Sequence, residues 1–128
     1  MTIEVLDGTF SVCKVADLSG AAMDSAFCAL VRTDEENSLV CETCRIPENV
    51  TAREDGWRAF RIAGVLDFSL IGILAKIASI LAEEGISIFA VSTYNTDYIL
   101  TKDMDRALAA LKAAGYEITS ADAAGSAG

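Results

Sequence analysis

The chain has no histidine in its 128 residues. That removes Ser-His-Asp and Cys-His nucleophilic systems and the commonest general base at neutral pH. Basic residues are also scarce: ten Lys and Arg stand against nineteen Asp and Glu, a formal net charge of −9. A nucleic-acid surface neutralises phosphates with Lys and Arg, so that class of partner is excluded, and the surplus reads as a solvated acidic surface. No apolar run approaches the roughly 18 residues that suggest a membrane span. The stretch 70–82 is too short and is interrupted by Gly72, Lys76 and Ser79. The opening Met-Thr-Ile-Glu-Val lacks the basic and apolar regions of a signal peptide, so a cytoplasmic protein is expected. Neither Gly-x-x-x-x-Gly-Lys-Ser/Thr nor Gly-x-Gly-x-x-Gly occurs, which leaves nucleotide chemistry without a motif. The acidic clusters Asp34-Glu35-Glu36, Glu54-Asp55 and Glu83-Glu84 fall in expected turns and at a helix end, where carboxylates are solvated surface. No catalytic residue is expected.

What the chain does contain is a core. Apolar residues make up 52% and charged residues only 23%, the balance of a packed globular protein. This length allows one domain, or two very small units sharing a core, burying roughly two-thirds of the unfolded surface. Four cysteines are present, Cys13, Cys28, Cys41 and Cys44, and Cys41-x-x-Cys44 has zinc-ligand spacing. Against a metal, the segment 38–44 reads as a strand, where residues three apart point to opposite faces. Cys13 and Cys28 lack a second paired spacing, and free cysteine is commonly buried as a small apolar residue. No metal and no cofactor is expected, and a stable disulfide is disfavoured in a reducing cytosol.

The second half reads as βαββαβ. A strand is expected over 57–63, after the turn signal Asp55-Gly56, and a helix over 69–84. Leu70, Ile73, Leu74, Ile77 and Leu81 share one face of that helix, and Gly85 stands where its C-terminus turns left-handed. A strand over 86–94, a two-residue turn at Asn95-Thr96, and a strand over 97–101 form a hairpin. A second helix over 103–114 buries Met104, Ala107, Leu108 and Leu111, Gly115 closes it, and Tyr116 opens the last strand. The first half looks like a degraded copy. It has a strand over 10–15, a short helix over 17–23, a hairpin of 27–33 with 38–46, and one or two helical turns between Pro47 and Gly56. Thr33-x-x-x-Asn37-x-Leu39 repeats as Thr93-x-x-x-Asp97-x-Ile99 sixty residues later. The expected class is therefore α+β. It comprises tandem ferredoxin-like units with antiparallel sheets and helices on one face, a degenerate unit over 1–61 and a full one over 62–118, whose first strand starts near 57. Residues 119–128 are expected to be a disordered tail. Along 86–94 both alternating sets, Ile86, Ile88, Ala90 and Phe89, Val91, are apolar, so a second surface should cover this strand, and a homodimer is expected.

The segments Asp67-Phe68-Ser69-Leu70-Ile71-Gly72-Ile73-Leu74-Ala75 and Ser92-Thr93-Tyr94-Asn95-Thr96-Asp97-Tyr98-Ile99-Leu100 resemble the ACT domain family. Within it they resemble small two-unit proteins related to the repeats of cytosolic arginine sensors. The resemblance implies a ligand-sensing module, with Asp67, Ser69, Gly72, Thr93 and Asp97 at matching positions of a site for an amino acid. Physical chemistry fits such a site. The amides of Leu70, Ile71 and Gly72, expected in the first helical turn, offer free donors to a carboxylate. Tyr94 and Asp97 flank the hairpin turn, Thr93 opposes Tyr98, and Asp97 can accept from an ammonium or guanidinium group. The plainer readings are an N-cap for Asp67 or Ser69, helix–strand packing for Gly72, and a turn role for Asp97. The function expected is a non-catalytic binding or sensing module for a small molecule. An interaction module without a ligand and a four-cysteine metal protein stand as the alternatives.

Overall fold

The computed structural model describes residues 1–65 and 72–120, which form eight strands, two α-helices and one 3-10 turn. The chain divides into two compact units, Gly8–Trp57 and a discontinuous unit of Met1–Asp7 with Arg58–Gly128. The boundary expected at 61/62 thus falls at 57/58, and the first seven residues belong with the second half.

In the unit Gly8–Trp57 the strands are β2 (Phe10–Val15), β3 (Cys28–Arg32), β4 (Asn37–Glu42) and the first part of β5 (Val50–Ile62). They run in the order β3-β4-β2-β5, each pair antiparallel. Alternation puts Cys13, Val15, Leu39 and Cys41 into a buried cluster, against which Leu18, Ala21, Leu30, Ile46 and Val50 pack. The short helix expected over 17–23 is a run of turns, and the helical turns expected between Pro47 and Gly56 are largely strand. The reason lies in two contacts. Asn49 Nδ2 donates to the Asp17 carbonyl at 3.0 Å, and a Cβ on Gly20 would stand only 2.7 Å from Pro47 Cβ. The loop closes on Pro47 because residue 20 has no side chain. Asp55-Gly56 also differs from its reading as a turn. Phe10 pairs Trp57 while Val12 pairs Glu54, so β5 carries an extra residue there, and Gly56 takes φ +87°. That is a glycine bulge within a strand.

The other unit contains β1 (Thr2–Val5), the end of β5, α1 (Ile73–Glu83), β6 (Ile88–Ser92), β7 (Asp97–Thr101), α2 (Met104–Ala113) and β8 (Glu117–Ser120). Its strand order is β6-β7-β5-β1-β8. The all-antiparallel expectation needs correcting: β1 pairs β5 antiparallel but β8 parallel. The short N-terminal strand alternates correctly for this place, since Ile3 and Val5 face the core while Glu4 meets Arg61 on the opposite face. Both helices pack on one face, where Ile77, Leu81, Met104, Ala107 and Leu111 meet Ile3, Phe60, Ile62 and Ile99. Both end as their glycines indicate. Ile86 N–H donates to Leu81 O and Gly85 N–H to Ala82 O, and Tyr116 and Gly115 repeat the pattern on Leu111 and Lys112. These are paired Schellman closures.

The two hairpins share a register. Cys28 pairs Cys41 and Arg32 pairs Asn37; sixty residues on, Ile88 pairs Thr101 and Ser92 pairs Asp97.

Candidate functional site

Four of the expected site residues, Asp67, Ser69, Leu70 and Ile71, lie outside the described residues. The remaining four are Gly72, Thr93, Tyr94 and Asp97, all in the discontinuous unit. Gly72 is not inside the first helical turn but caps it, at φ +79°, ψ 6°. A Cβ there would meet nothing within 4 Å, so packing does not demand glycine; the left-handed backbone does. The first intrahelical bond is Lys76 N–H to Gly72 O at 2.9 Å. Ile73, Leu74 and Ala75 form the first turn of α1, where no acceptor within the helix reaches their amides. Gly72, Ile73 and Lys76 line an open groove of about 270 Å³ together with Met1, Ala114, Gly115 and Tyr116. Lys76 is a basic side chain within α1, an otherwise mostly apolar helix, and that isolation is the sequence signal that could have singled it out.

The hairpin is built one residue away from its expected register. Thr93 N–H donates to Thr96 O at 2.8 Å, so the two loop residues are Tyr94 and Asn95. No described non-glycine residue has positive φ, so this loop is not one of the left-handed hairpin turns. The Thr93 hydroxyl stabilises it instead, donating to Thr96 O at 2.9 Å and accepting Thr96 N–H at 3.3 Å. Thr33 does the same in the other unit, accepting from Glu35 and Glu36 N–H at 3.1 Å each. Asp97 therefore opposes Ser92, whose hydroxyl donates to Asp97 Oδ1 at 2.6 Å, and Thr93 opposes Thr96 rather than Tyr98. Tyr94 stands at the tip, 79% exposed. Thr96, absent from the expected set, is buried, and its hydroxyl donates to Ile62 O at 2.7 Å. This bond fixes the hairpin end to the end of β5, the strand that leads toward α1. Thr93, Tyr94 and Asp97 do not line the groove at Gly72.

Among the described residues no group of three or more His, Cys, Asp or Glu is placed to hold a metal ion. No described helix is long and apolar enough to cross a membrane.

Residues 52–113 match the ACT domain family, a span that takes in most of β5, both helices and the β6–β7 hairpin. Comparison with curated proteins gives no match. Among solved structures, the chain is similar to protein Atu0741 from Agrobacterium tumefaciens, with 30% identity, 93% of this chain and 92% of that one covered, and a TM-score of 0.82. It is also similar to VC0802 from Vibrio cholerae, described as of unknown function and a possible transport protein, with 26% identity, 86% of each chain and a TM-score of 0.67. The aspartate kinase of Clostridium acetobutylicum shares the fold at 14% identity and a TM-score of 0.60, over 86% of this chain and 32% of that enzyme. By its identity to Atu0741 across nine-tenths of both chains the protein belongs to the same family as that protein, and residues 52–113 carry its likeness to the ACT domain.

Proposed function

We propose that this chain is a non-catalytic regulatory module that binds a small molecule, an amino acid in the first instance, and acts as a homodimer in the cytoplasm without cofactor, nucleic acid or membrane. The ACT match over residues 52–113 carries this reading. It is supported by the helix N-terminus at Ile73, whose first-turn amides suit a carboxylate, and by the Asp97 carboxylate at the hairpin, which suits a cationic group. The absence of histidine supports the lack of catalysis. The shared register of the two hairpins supports a tandem arrangement in which Gly8–Trp57 is the degenerate unit. A thermal-shift screen of the twenty amino acids tests the proposal. A ligand at a hundred times its Kd adds about 2.7 kcal/mol of stability. A ligand of about ten heavy atoms binds in the micromolar range or weaker, so the screen needs millimolar concentrations.

A second reading has one observation in its favour. The Thr93 hydroxyl and one Asp97 oxygen are already engaged within the hairpin. A module that keeps the fold for assembly, with no ligand, would show this too. Twenty flat melting curves alongside a stable dimer would establish that second reading.

A further inference from the structure

All four cysteines are free thiols, and three of them sit together in the unit Gly8–Trp57. Cys41 is buried on β4 in one cluster with Cys13 on β2, while Cys28 opposes it directly on β3. Which pair can be joined follows from the ladder. Thr33 N–H bonds Glu36 O, which makes that pair hydrogen-bonded, and pair types alternate along an antiparallel hairpin. Arg32–Asn37, Leu30–Leu39 and Cys28–Cys41 are then the non-hydrogen-bonded pairs. The opposite edge of β4 agrees, since Thr43 N–H turns the other way to Thr9 O. Non-hydrogen-bonded partners have Cα atoms about 4.5 Å apart, within the roughly 4.4–6.8 Å that a disulfide spans. Cys13 and Cys41 are diagonal neighbours, because Cys41 pairs Ser11 and Cys13 pairs Leu39. Diagonal positions lie about 7–8 Å apart, beyond that range.

We propose that Cys28 and Cys41 are a thiol-oxidation site, closing to a reversible cross-strand disulfide on reaction with a low-molecular-weight disulfide. Cys28 is the entry point, being half-buried at the start of β3 where Cys41 is fully enclosed. Its thiolate attacks one sulfur of the small disulfide, the S–S bond breaks, and one small thiolate leaves as a mixed disulfide forms on Cys28. Cys41 then gives its proton to solvent and attacks Cys28 Sγ, displacing the second small thiolate. The protein pair loses two electrons and the small disulfide gains them as two thiols. Burial pushes the Cys28 thiol up, with the Arg45 guanidinium acting against it, and burial above all pushes Cys41 up to about 12, so closure is slow at neutral pH.

The test is incubation of the whole chain with glutathione disulfide, followed by alkylation and tryptic mapping by mass spectrometry. Cleavage after Lys14, Arg32 and Arg45 puts Cys28 in peptide 15–32 and Cys41 with Cys44 in peptide 33–45. The expected result is that these two peptides are joined and alkylatable thiols fall from the four present to two. The link should persist in Cys44→Ser and vanish in Cys28→Ser with unchanged circular dichroism. A Cys13–Cys41 or Cys41–Cys44 link, intermolecular links alone, or four thiols surviving the treatment would overturn the assignment.

Discussion

Asp97 has two duties to be separated, because its carboxylate accepts the Ser92 hydroxyl at 2.6 Å whether or not it meets a ligand. Asp97→Asn keeps an acceptor for Ser92 and removes the charge. If Asp97 reads a cationic group, ligand affinity should fall ten- to a hundredfold in titration calorimetry, since a hydrogen bond to a charged group contributes about 1.5–3 kcal/mol. The melting temperature of the free protein should hardly move; an equal loss in free and liganded protein would make Asp97 a turn residue only. A two-residue turn near Asn95 was legible from the residue types, but its register was not: the turn bonds belong to Thr93, while Asp97 opens β7 and accepts from the Ser92 hydroxyl. Asn95-Thr96 carries the stronger turn signal in the sequence, yet the Thr93 hydroxyl bonds move the loop one residue back, and a one-residue slip changes every partner. Cys41 offers a pH test at the same scale. Its folded pKa is pushed up to about 12, chiefly by burial, against 9.0 for a free thiol. Above pH 9 the unfolded chain releases this proton while the folded chain keeps it, so ν_U is smaller than ν_N and stability falls as pH rises. One such group contributes at most about 1.4 kcal/mol per pH unit, present in full below pH 9 and lost toward pH 12. In urea titrations, Cys41→Ala should be less stable at pH 7 and should flatten the decline between pH 9 and 10.

Elements whose ends are set by local chemistry were readable: Gly85 and Gly115 close α1 and α2 where their positions indicate. Elements set by long-range contact were not. The segment 17–23 fails to become a helix because Asn49 holds the Asp17 carbonyl and Gly20 sits against Pro47, contacts no local pattern announces. The start of α1 at Ile73 likewise depends on the left-handed cap at Gly72, which a helical periodicity beginning at Leu70 conceals. Beyond the β5–β7 ladder, the turn end of the hairpin is tied to β5 by a buried side-chain bond, Thr96 Oγ1 to Ile62 O. Thr96→Val preserves shape and leaves that carbonyl without its donor, so it should cost about 1–3 kcal/mol by chemical denaturation. Amide exchange should quicken at Thr93, whose N–H closes the turn, more than at Leu100 in the core. Uniform quickening across β7 would show that Thr96 supports the whole unit rather than the hairpin end.

On the scale of the whole molecule, the discontinuous unit needs residues that precede the other unit in the chain. Ile3 is fully buried among Phe60, Ile62, Ile77 and Leu81. Ile3→Ala should therefore cost about 2–5 kcal/mol, and a chain beginning at Gly8 should lose more, because the strand that joins β5 to β8 is then gone. That β1 belongs to this unit was beyond sequence reading: four residues carry too short an alternation to choose a sheet. The expected homodimer gives the last test. Among the described residues β6 pairs only β7, and from Ile88 to Ser92 it carries no charge to discourage pairing with another chain. Thr93 N–H faces β7, so by alternation the N–H of Ala90 points away from it, toward the open edge. Ala90 is also exposed, so Ala90→Pro deletes an outward donor without removing a ladder bond to β7. If β6 joins two copies, burying the roughly 1,200–2,000 Å² of a specific interface, this variant should sediment as a monomer at micromolar concentration while its helical circular dichroism persists. A variant that remains a dimer places the interface elsewhere, and a wild-type monomer removes the dimer while leaving the ligand site to be judged by the amino-acid screen.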